Sequence, residues 1–294
     1  MPEAERVRVH IDGRELELSN LDKVMYPKVG FTKGEVIDYY VRVAEVLVPH
    51  LRDRPLTRIR YPNGVESASF FEKNAPGGTP AWVRRETLPV PGSASGRETL
   101  DFIVVDDVPT LAWLANLAAI ELHTPQWRLS KGKARKPDLL VVDLDPGPGA
   151  GLQECCLVAV AARHRLEHVG LEPFAKTSGK KGMQLLCRLG GRRTSDQVSD
   201  LAREVAEDLE RALPDLVTAR MTKSLRPNKV FFDWSQNAAA KTTVSAYSLR
   251  AGPTPTVSAP FTWKEVEAGK VRPLSPDEVL NRIKKHQDLL ADLL

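Results

Sequence analysis

Asp138-Leu-Leu-Val-Val-Asp143-Leu144-Asp145-Pro146-Gly147-Pro148-Gly149 is the stretch on which the rest of the chain is read. Leu139 to Val142 form a continuous apolar run, the pattern of a short strand buried on both faces. Two carboxylates one residue apart follow, then a Pro/Gly stretch that stops the strand. In an extended chain positions i and i+2 project to the same side, so Asp143 and Asp145 share a face. Carboxylates held that close repel and raise each other's pKa unless a cation lies between them. A divalent ion that prefers oxygen ligands, Mg²⁺ or Mn²⁺, resolves the conflict. Taken alone, the same spacing also suits a strand end that turns into solvent.

The basic residues narrow the choice. The formal charge of the 294-residue chain is only +4, but its cations are grouped. Arg128, Lys131, Lys133, Arg135 and Lys136 crowd the segment before the Asp strand. Lys176, Lys180 and Lys181 form a second group, and Arg220, Lys223, Arg226 and Lys229 a third. Cations around an acidic metal site suit a polyanion such as a nucleotide or nucleic acid, although any one group could be a solvated face. Cys155, Cys156 and Cys187 cannot frame a disulfide core and lack zinc-ligand spacing, so a reducing compartment is expected. The charged N-terminus has no apolar h-region, and the run Leu111 to Ile120 is too short to span a bilayer. The expected location is cytoplasmic, with no membrane partner.

Working outward, Val7 to Ile11 and Glu15 to Leu18 read as a hairpin turning at Asp12-Gly13. Ser19-Asn20 caps a short segment containing Lys23. Thr32 with Glu35 forms a capping box for a helix carrying Val36, Tyr40, Val43 and Leu47. Lys23 and Lys33 flank that helix entrance, where backbone N–H groups favour an anion. Leu56 to Arg60 is a strand with Arg58 and Arg60 on one face, and Ser69 to Lys73 another with adjacent aromatics. A strand buried on both sides is the expectation there; an exposed Phe stacking on a base is the alternative. Gly92 to Gly96 is a flexible loop, and Phe102 to Val105 a strand. Asp106 or Asp107 caps a helix expected from Thr110 to Leu122, ended by His123.

Beyond the Asp strand, a helix runs from Gly151 to His168. Thr177-Ser178-Gly179-Lys180-Lys181-Gly182 is a turn between strands whose N–H groups, hydroxyl and cations suit phosphates, without P-loop spacing. Ser195 caps an amphipathic helix to Leu213. Lys229 to Asp233 is a strand whose end carries a third carboxylate, and Arg250 follows a further short strand. Gly252 to Pro260 reads as a surface loop, and a last helix starts near Pro276. Asp143, Asp145 and Asp233 could hold two ions about 3.5–4 Å apart, as in-line phosphoryl displacement uses. Carboxyls at i and i+2 lie too close to flank a sugar as glycosidases require. An Asp-nucleophile phosphatase would carry threonine where this chain has Gly147.

These motifs, in this order, resemble the polymerase domain of bacterial ligase D, in the archaeo-eukaryotic primase superfamily. They are Asp143-Leu-Asp145-Pro-Gly, Thr177 to Gly182 and Phe232-Asp233-Trp-Ser-Gln-Asn237, with Glu121 to Trp127 and Ser69 to Lys73 beside them. The likeness runs from about Ser19 to the C-terminal helix. It implies a mixed α/β, primase-type fold with an RRM-like catalytic sheet and an N-terminal α/β portion packed on it. One domain over 1–294 is expected, with the N-terminal portion over 1–125, the catalytic sheet over 126–262 and the C-terminal helix over 263–294. The resemblance also implies that Asp143, Asp145 and Asp233 bind two Mn²⁺ or Mg²⁺ ions. His123, Ser178, Lys181, Gln184, Gln236 and Arg250 would line the site of an incoming NTP or dNTP, ribonucleotides being favoured. Lys23 and Lys33 would hold a DNA 5′-phosphate, and Phe70 and Phe71 would stack near the templating base. The implied activity is extension of DNA 3′ ends and gap filling in non-homologous end joining, with Ku and an ATP-dependent DNA ligase as partners at the nucleoid. A stand-alone chain or one domain of a longer ligase would both fit, and a silent DNA-end-binding module is the rival. The chain departs from the superfamily at Gln184, where histidine is usual. Glutamine donates a hydrogen bond but carries no charge, so Gln184→His is expected to lower the nucleotide KM.

Overall fold

In the computed structural model, which describes residues 6–90 and 96–294, the apolar run and both carboxylates lie on one strand, Leu139–Pro146. The loop expected over Gly92 to Gly96 falls outside these residues except for Gly96. Leu140, Val141, Val142 and Leu144 are all buried, as an apolar run with both faces covered requires. The strand is central in a six-stranded sheet ordered Val217–Thr218, Val230–Asp233, Leu139–Pro146, Met183–Arg188, Pro173–Thr177, Pro260–Phe261. All neighbours are antiparallel except the first pair. Helix Leu152–His168 follows the Asp strand, and helix Ser195–Ala212 follows Met183–Arg188. This βαββαβ succession, with its last strand beside its first, is the RRM-like sheet that the resemblance implied.

Both helices pack on one face of this sheet. Helix Ser195–Ala212 buries Val198, Ala202, Val205, Ala206 and Leu209, a stripe at helical spacing. Its cap is Thr194 rather than Ser195: Gln197 N donates to Thr194 Oγ1, and Thr194 N donates back to Gln197 Oε1. A second sheet, ordered Thr243–Val244, Ala119–Thr124, Thr57–Arg60, Phe70–Glu72, bonds to the first. Lys176 Nζ reaches Val244 O at 3.1 Å, and Lys180 Nζ reaches Glu121 Oε1 at 3.0 Å.

The expected hairpin and capping box both form. Strands Arg6–Ile11 and Arg14–Ser19 pair through Asp12-Gly13, both at positive φ, and Thr32 and Glu35 form the capping box of helix Lys33–Leu51. The helix expected from Thr110 to Leu122 does not form. Helix Val108–Asn116 ends in a turn at Ala118, φ 60°, and strand Ala119–Thr124 follows, so His123 stands within a strand. Asp107 is the cap, its Oδ1 accepting from Thr110 N, while Asp106 pairs with Arg84. Leu111, Ala112, Leu114, Ala115, Ala119, Ile120 and Leu122 are all buried. With no exposed face, the apolar pattern has no period by which helix and strand can be told apart. Gly252 to Pro260 is not simply a surface loop either. It contains strand Thr256–Val257, and Val257, Ser258 and Ala259 are buried with their backbone groups bonded to Leu274, Ser248, Tyr247 and Thr177.

A main apolar core runs from Leu16 to Leu293, and Leu88, Leu100, Phe102, Val104 and Leu129 form a smaller second cluster. No described helix is long and apolar enough to cross a membrane. The start of the Asp strand is pinned by charge. Arg54, 2% exposed, donates to Asp138 Oδ1 at 2.8 Å and Oδ2 at 2.6 Å, and Arg128 Nε adds a third bond at 2.9 Å. Asp138→Ala would leave the Arg54 guanidinium buried with Pro125 O as its remaining partner. A loss of about 3–5 kcal/mol is expected in urea unfolding, and Arg54→Met/Asp138→Leu should recover most of it.

Candidate nucleotide and metal site

The antiparallel register sets four side chains in one row across the sheet. Lys176 lies opposite Gln184, Gln184 opposite Asp143, and Asp143 opposite Asp233. Directly opposed residues of antiparallel strands share a face with Cβ atoms about 4.5–5.5 Å apart. Asp145, two residues beyond Asp143, joins that face. Burial first, then repulsion from Asp145, raises the Asp143 carboxyl from 3.8 to about 7, against the hydrogen bond from Gln184 Nε2 at 3.0 Å. Asp145 is pushed up by burial and by Asp233.

Asp233 ends its strand and caps the short 3₁₀ turn Trp234–Asn237. Its Oδ1 accepts from Ser235 N at 3.0 Å and Ser235 Oγ at 2.6 Å, with Lys241 Nζ 3.6 Å from Oδ2. In that rotamer its oxygens face its own turn, and among the described residues no three acidic, His or Cys side chains converge as a finished metal cage. The donor set nevertheless fits a hard divalent ion: three carboxylates on one face, two raised in pKa by burial and by the charge of neighbouring carboxylates. Asn237 ties the end of the third carboxylate's strand to the Asp strand. Its Nδ2 donates to Val141 O and its Oδ1 accepts from Val141 N, both at 2.8 Å.

A cavity of about 670 Å³ opens beside this row. Its wall holds Asp143 and Asp145 together with His123, Ser178, Lys181, Gln184, Gln236 and Arg250. The turn after Pro173–Thr177 lies flat against the Arg250 strand. A Cβ on Gly179, φ 74°, would come 2.6 Å from Arg250 Cγ and 2.9 Å from Ser258 N. Two N–H groups that the turn was expected to expose, those of Lys180 and Gly182, instead donate to Ser178 Oγ. The lysines around the turn separate into three roles. Lys181 is exposed at the rim, Lys180 pairs with Glu121, and Lys176 is fully buried rather than part of a surface cluster. Gln184 lines the cavity, but both ends of its amide are engaged: Oε1 accepts from Lys176 and Nε2 donates to Asp143.

Glu121 was not among the residues read as functional, although it opens the quoted Glu121 to Trp127 motif. It stands two residues from His123 on the same strand, 1% exposed, and gathers His123 Nε2 at 3.1 Å, Lys180 Nζ at 3.0 Å, Ala251 N at 3.0 Å and Arg250 Nε at 3.6 Å. Burial alone would raise its pKa; the hydrogen bond with His123 and the charges of Arg250 and Lys180 outweigh it and bring the carboxyl down to about 2. A buried carboxylate with this many donors fixes where the cations of the cavity stand. Burial lowers His123, and the Glu121 partner only offsets this in part. Gln236 Nε2 donates to Thr242 O at 2.8 Å and Thr243 Oγ1 at 3.0 Å.

The remaining candidates lie outside this cavity. Lys33, nearly buried, donates to Ser19 O at 2.5 Å, and Lys23 donates to Asn63 Oδ1 at 3.1 Å. Burial, then the neighbouring Lys23 charge, lowers Lys33 to about 8. The helix-entrance N–H groups are not open to an anion, since those of Lys33, Gly34 and Glu35 bond to Lys23 O, Leu21 O and Thr32 Oγ1. Any anion there would meet the lysine side chains. Phe70 and Phe71 are both exposed, at 52% and 62%, because Phe70–Glu72 is an edge strand and not one covered on both sides. Phe71 borders a larger groove, about 1390 Å³, with Lys73, Arg97, Trp127, Lys133 and Arg135. That groove meets the smaller cavity at Thr242, but Asp143 and Asp145 line only the smaller one.

Fold and site together define a primase-type polymerase domain. The family described as LigD, primase-polymerase domain matches residues 32–290. The chain is 46% identical over 278 residues to the multifunctional non-homologous end joining protein LigD of Mycolicibacterium smegmatis, covering 95% of this chain and 36% of that protein. It is 34% identical to the bifunctional non-homologous end joining protein LigD of Bacillus subtilis, covering 92% and 43%. The solved polymerase domain of Mycobacterium tuberculosis ligase D in complex with DNA superposes with a TM-score of 0.90 at 45% identity, covering 95% of this chain and 97% of that one. The chain belongs to the LigD primase-polymerase domain family, and it spans well under half the length of these curated relatives.

The raised Asp143 pKa makes a stability prediction. Its folded value lies above the ordinary 3.8, so the folded state holds the proton more tightly and stability falls as pH rises from about 3.8 to about 7. In EDTA, Asp143→Asn should therefore melt higher than the parent at pH 8, with the difference closing below pH ~4. Added Mn²⁺ should raise the parent's Tm at pH 8 and leave the variant's nearly unchanged.

Proposed function

We propose that the chain is a metal-dependent nucleotidyltransferase that adds nucleotides, ribonucleotides preferentially, to DNA 3′ ends and fills gaps during end joining. The observation that carries this reading is that Asp143, Asp145 and Gln184 line a cavity whose other wall is cationic, with Asp233 directly opposite Asp143 on the neighbouring strand. Bound Mn²⁺ or Mg²⁺, held by Asp143, Asp145 and Asp233, would supply a lowered pKa for the attacking 3′-hydroxyl and a counter-charge for the triphosphate. The protein's own groups do the placing. Lys181 and Arg250 attract the phosphates, and Ser178 Oγ presents a hydroxyl from a turn held flat by Gly179. Glu121 holds Arg250, Lys180 and His123 at fixed angles before substrate arrives, so less ordering remains to be done on binding. Gln236 and His123 line the same wall, where the nucleoside lies in this reading.

DNA is placed by features outside the cavity. The groove that runs from Phe71 past Lys73, Lys133 and Arg135 to Thr242 is cationic with an aromatic wall, suited to an unpaired template strand. Lys23 and Lys33 form the anion site for a downstream 5′-phosphate. Relatives named as end joining proteins are more than twice as long as this chain, which supports a ligase acting alongside it; Ku as the end-binding partner belongs to the same reading.

On gapped DNA with a recessed 5′-phosphate, Mn²⁺-dependent extension is expected, faster with rNTPs than dNTPs. Asp143→Ala/Asp145→Ala should abolish it while DNA binding persists. Phosphate-dependent binding without extension by the parent would favour a silent end-binding module instead. The lowered Lys33 pKa adds a pH signature: the preference for 5′-phosphate over 5′-hydroxyl ends should weaken as pH rises through about 8, where Lys33 loses its charge. Lys33→Arg should keep the preference to higher pH, as binding titrations at pH 7 and 9 would read.

A further inference from the structure

Lys176 is a buried cation that the proposed chemistry leaves unused. It sits 1% exposed on the sheet face that carries the carboxylates, at the far end of their row. Its ammonium has three N–H groups and three acceptors: Gln184 Oε1 at 2.5 Å, Ser258 Oγ at 2.6 Å and Val244 O at 3.1 Å. None of the three is charged. Placing an ammonium among neutral groups costs stability that an apolar side chain of the same length would not, so packing does not explain it. What the ammonium does accomplish is visible one residue along the row. An ammonium only donates, so the amide of Gln184 has to turn its oxygen toward Lys176 and its nitrogen toward Asp143. The nitrogen then donates to Asp143 Oδ1 at 3.0 Å. Without Lys176 the amide oxygen loses its donor, and only the hydrogen bond to Asp143 is left to hold the amide against a flip that would set oxygen against carboxylate oxygen and turn Asp143 away.

We propose that Lys176 is a positioning residue for the metal site: it fixes the orientation of the Gln184 amide, and the amide holds Asp143 as a ligand. This rests on the metal-site reading above and deepens it. It also changes the outlook for Gln184→His. An imidazole at this position has to accept from Lys176 on one side and donate to Asp143 on the other, so it is held neutral by an ammonium beside it. The variant is then expected to leave the nucleotide KM unchanged or raise it, contrary to the expectation from sequence.

The test uses the chain as it stands, with Mn²⁺ as probe and the free ion followed by its electron paramagnetic resonance signal. The parent, Asp143→Ala, Lys176→Met, Lys176→Arg, Gln184→Met and the double variant Lys176→Met/Gln184→Met are titrated, each with its Tm checked in EDTA. Lys176→Met is expected to weaken Mn²⁺ binding about 10-fold or more, the scale for groups that orient a metal ligand. Gln184→Met should match it, the double variant should add little, and Lys176→Arg should restore most of the affinity. In primer extension the Mn²⁺ requirement should rise in parallel while the nucleotide KM moves less than about twofold. Mn²⁺ affinity unchanged in folded Lys176→Met, or independent and additive losses in the two single variants, would overturn the inference. If Lys176→Met does not fold, an unchanged affinity in Gln184→Met overturns it equally. A parent that binds no Mn²⁺, or an Asp143→Ala variant that binds it as well, would instead remove the metal-site reading beneath it.

Discussion

Three carboxylates on one sheet face repel one another, and the surrounding structure opposes that repulsion from every side except the cavity. Apolar strands and two helices packed behind Asp143 hold the strands in place, although the same burial removes water that would screen the charges. The amide of Asn237 ties the third carboxylate's strand to the Asp strand where the ladder would otherwise stop. Gln184 supplies the neutral donor on the other side. What remains open is the direction from which a hard cation and a polyphosphate would come.

The second sheet answers the first with charge of the opposite sign. Its central strand contributes Glu121, whose buried carboxylate collects Arg250, Lys180 and His123 around one point. A carboxylate in a cationic wall looks like a liability for an anion site, since it cancels charge. The energetics run the other way: long cationic side chains held by a buried acid lose their freedom during folding, and a ligand then meets them already placed. Lys181 alone among the turn's lysines stays unpaired at the rim, where long-range attraction matters more than fixed geometry.

Much of the fold could be read from local pattern. The Asp-Gly hairpin, the Thr32 capping box, the strands around the Ser178 turn and the helices after Gly151 and before Leu213 all declare themselves within a few residues, through turn chemistry, caps or an amphipathic period. The failures share one cause. The segment from Leu111 to Leu122 has no exposed residue, so periodicity is silent, and a break at Ala118 decided by packing divides it into helix and strand. Phe70 and Phe71 look like core residues by composition, but their strand is an edge. Ser258 looks like loop surface by composition, but it is bonded on both sides and fully covered.

The sequence by itself determined the pairing of Asp143 with Asp145, because alternation along a strand is a property of the backbone and needs no partner. It also carried the Ser178 turn and the third carboxylate as recognisable motifs. Only the tertiary structure decided that Lys176, Gln184, Asp143 and Asp233 form one row, that Glu121 gathers the cations, and that Lys180 and Lys181, adjacent in the chain, take different roles. Register between strands far apart in sequence is set by the packing of the whole core, and a shift of one residue would send each of these side chains to the opposite face.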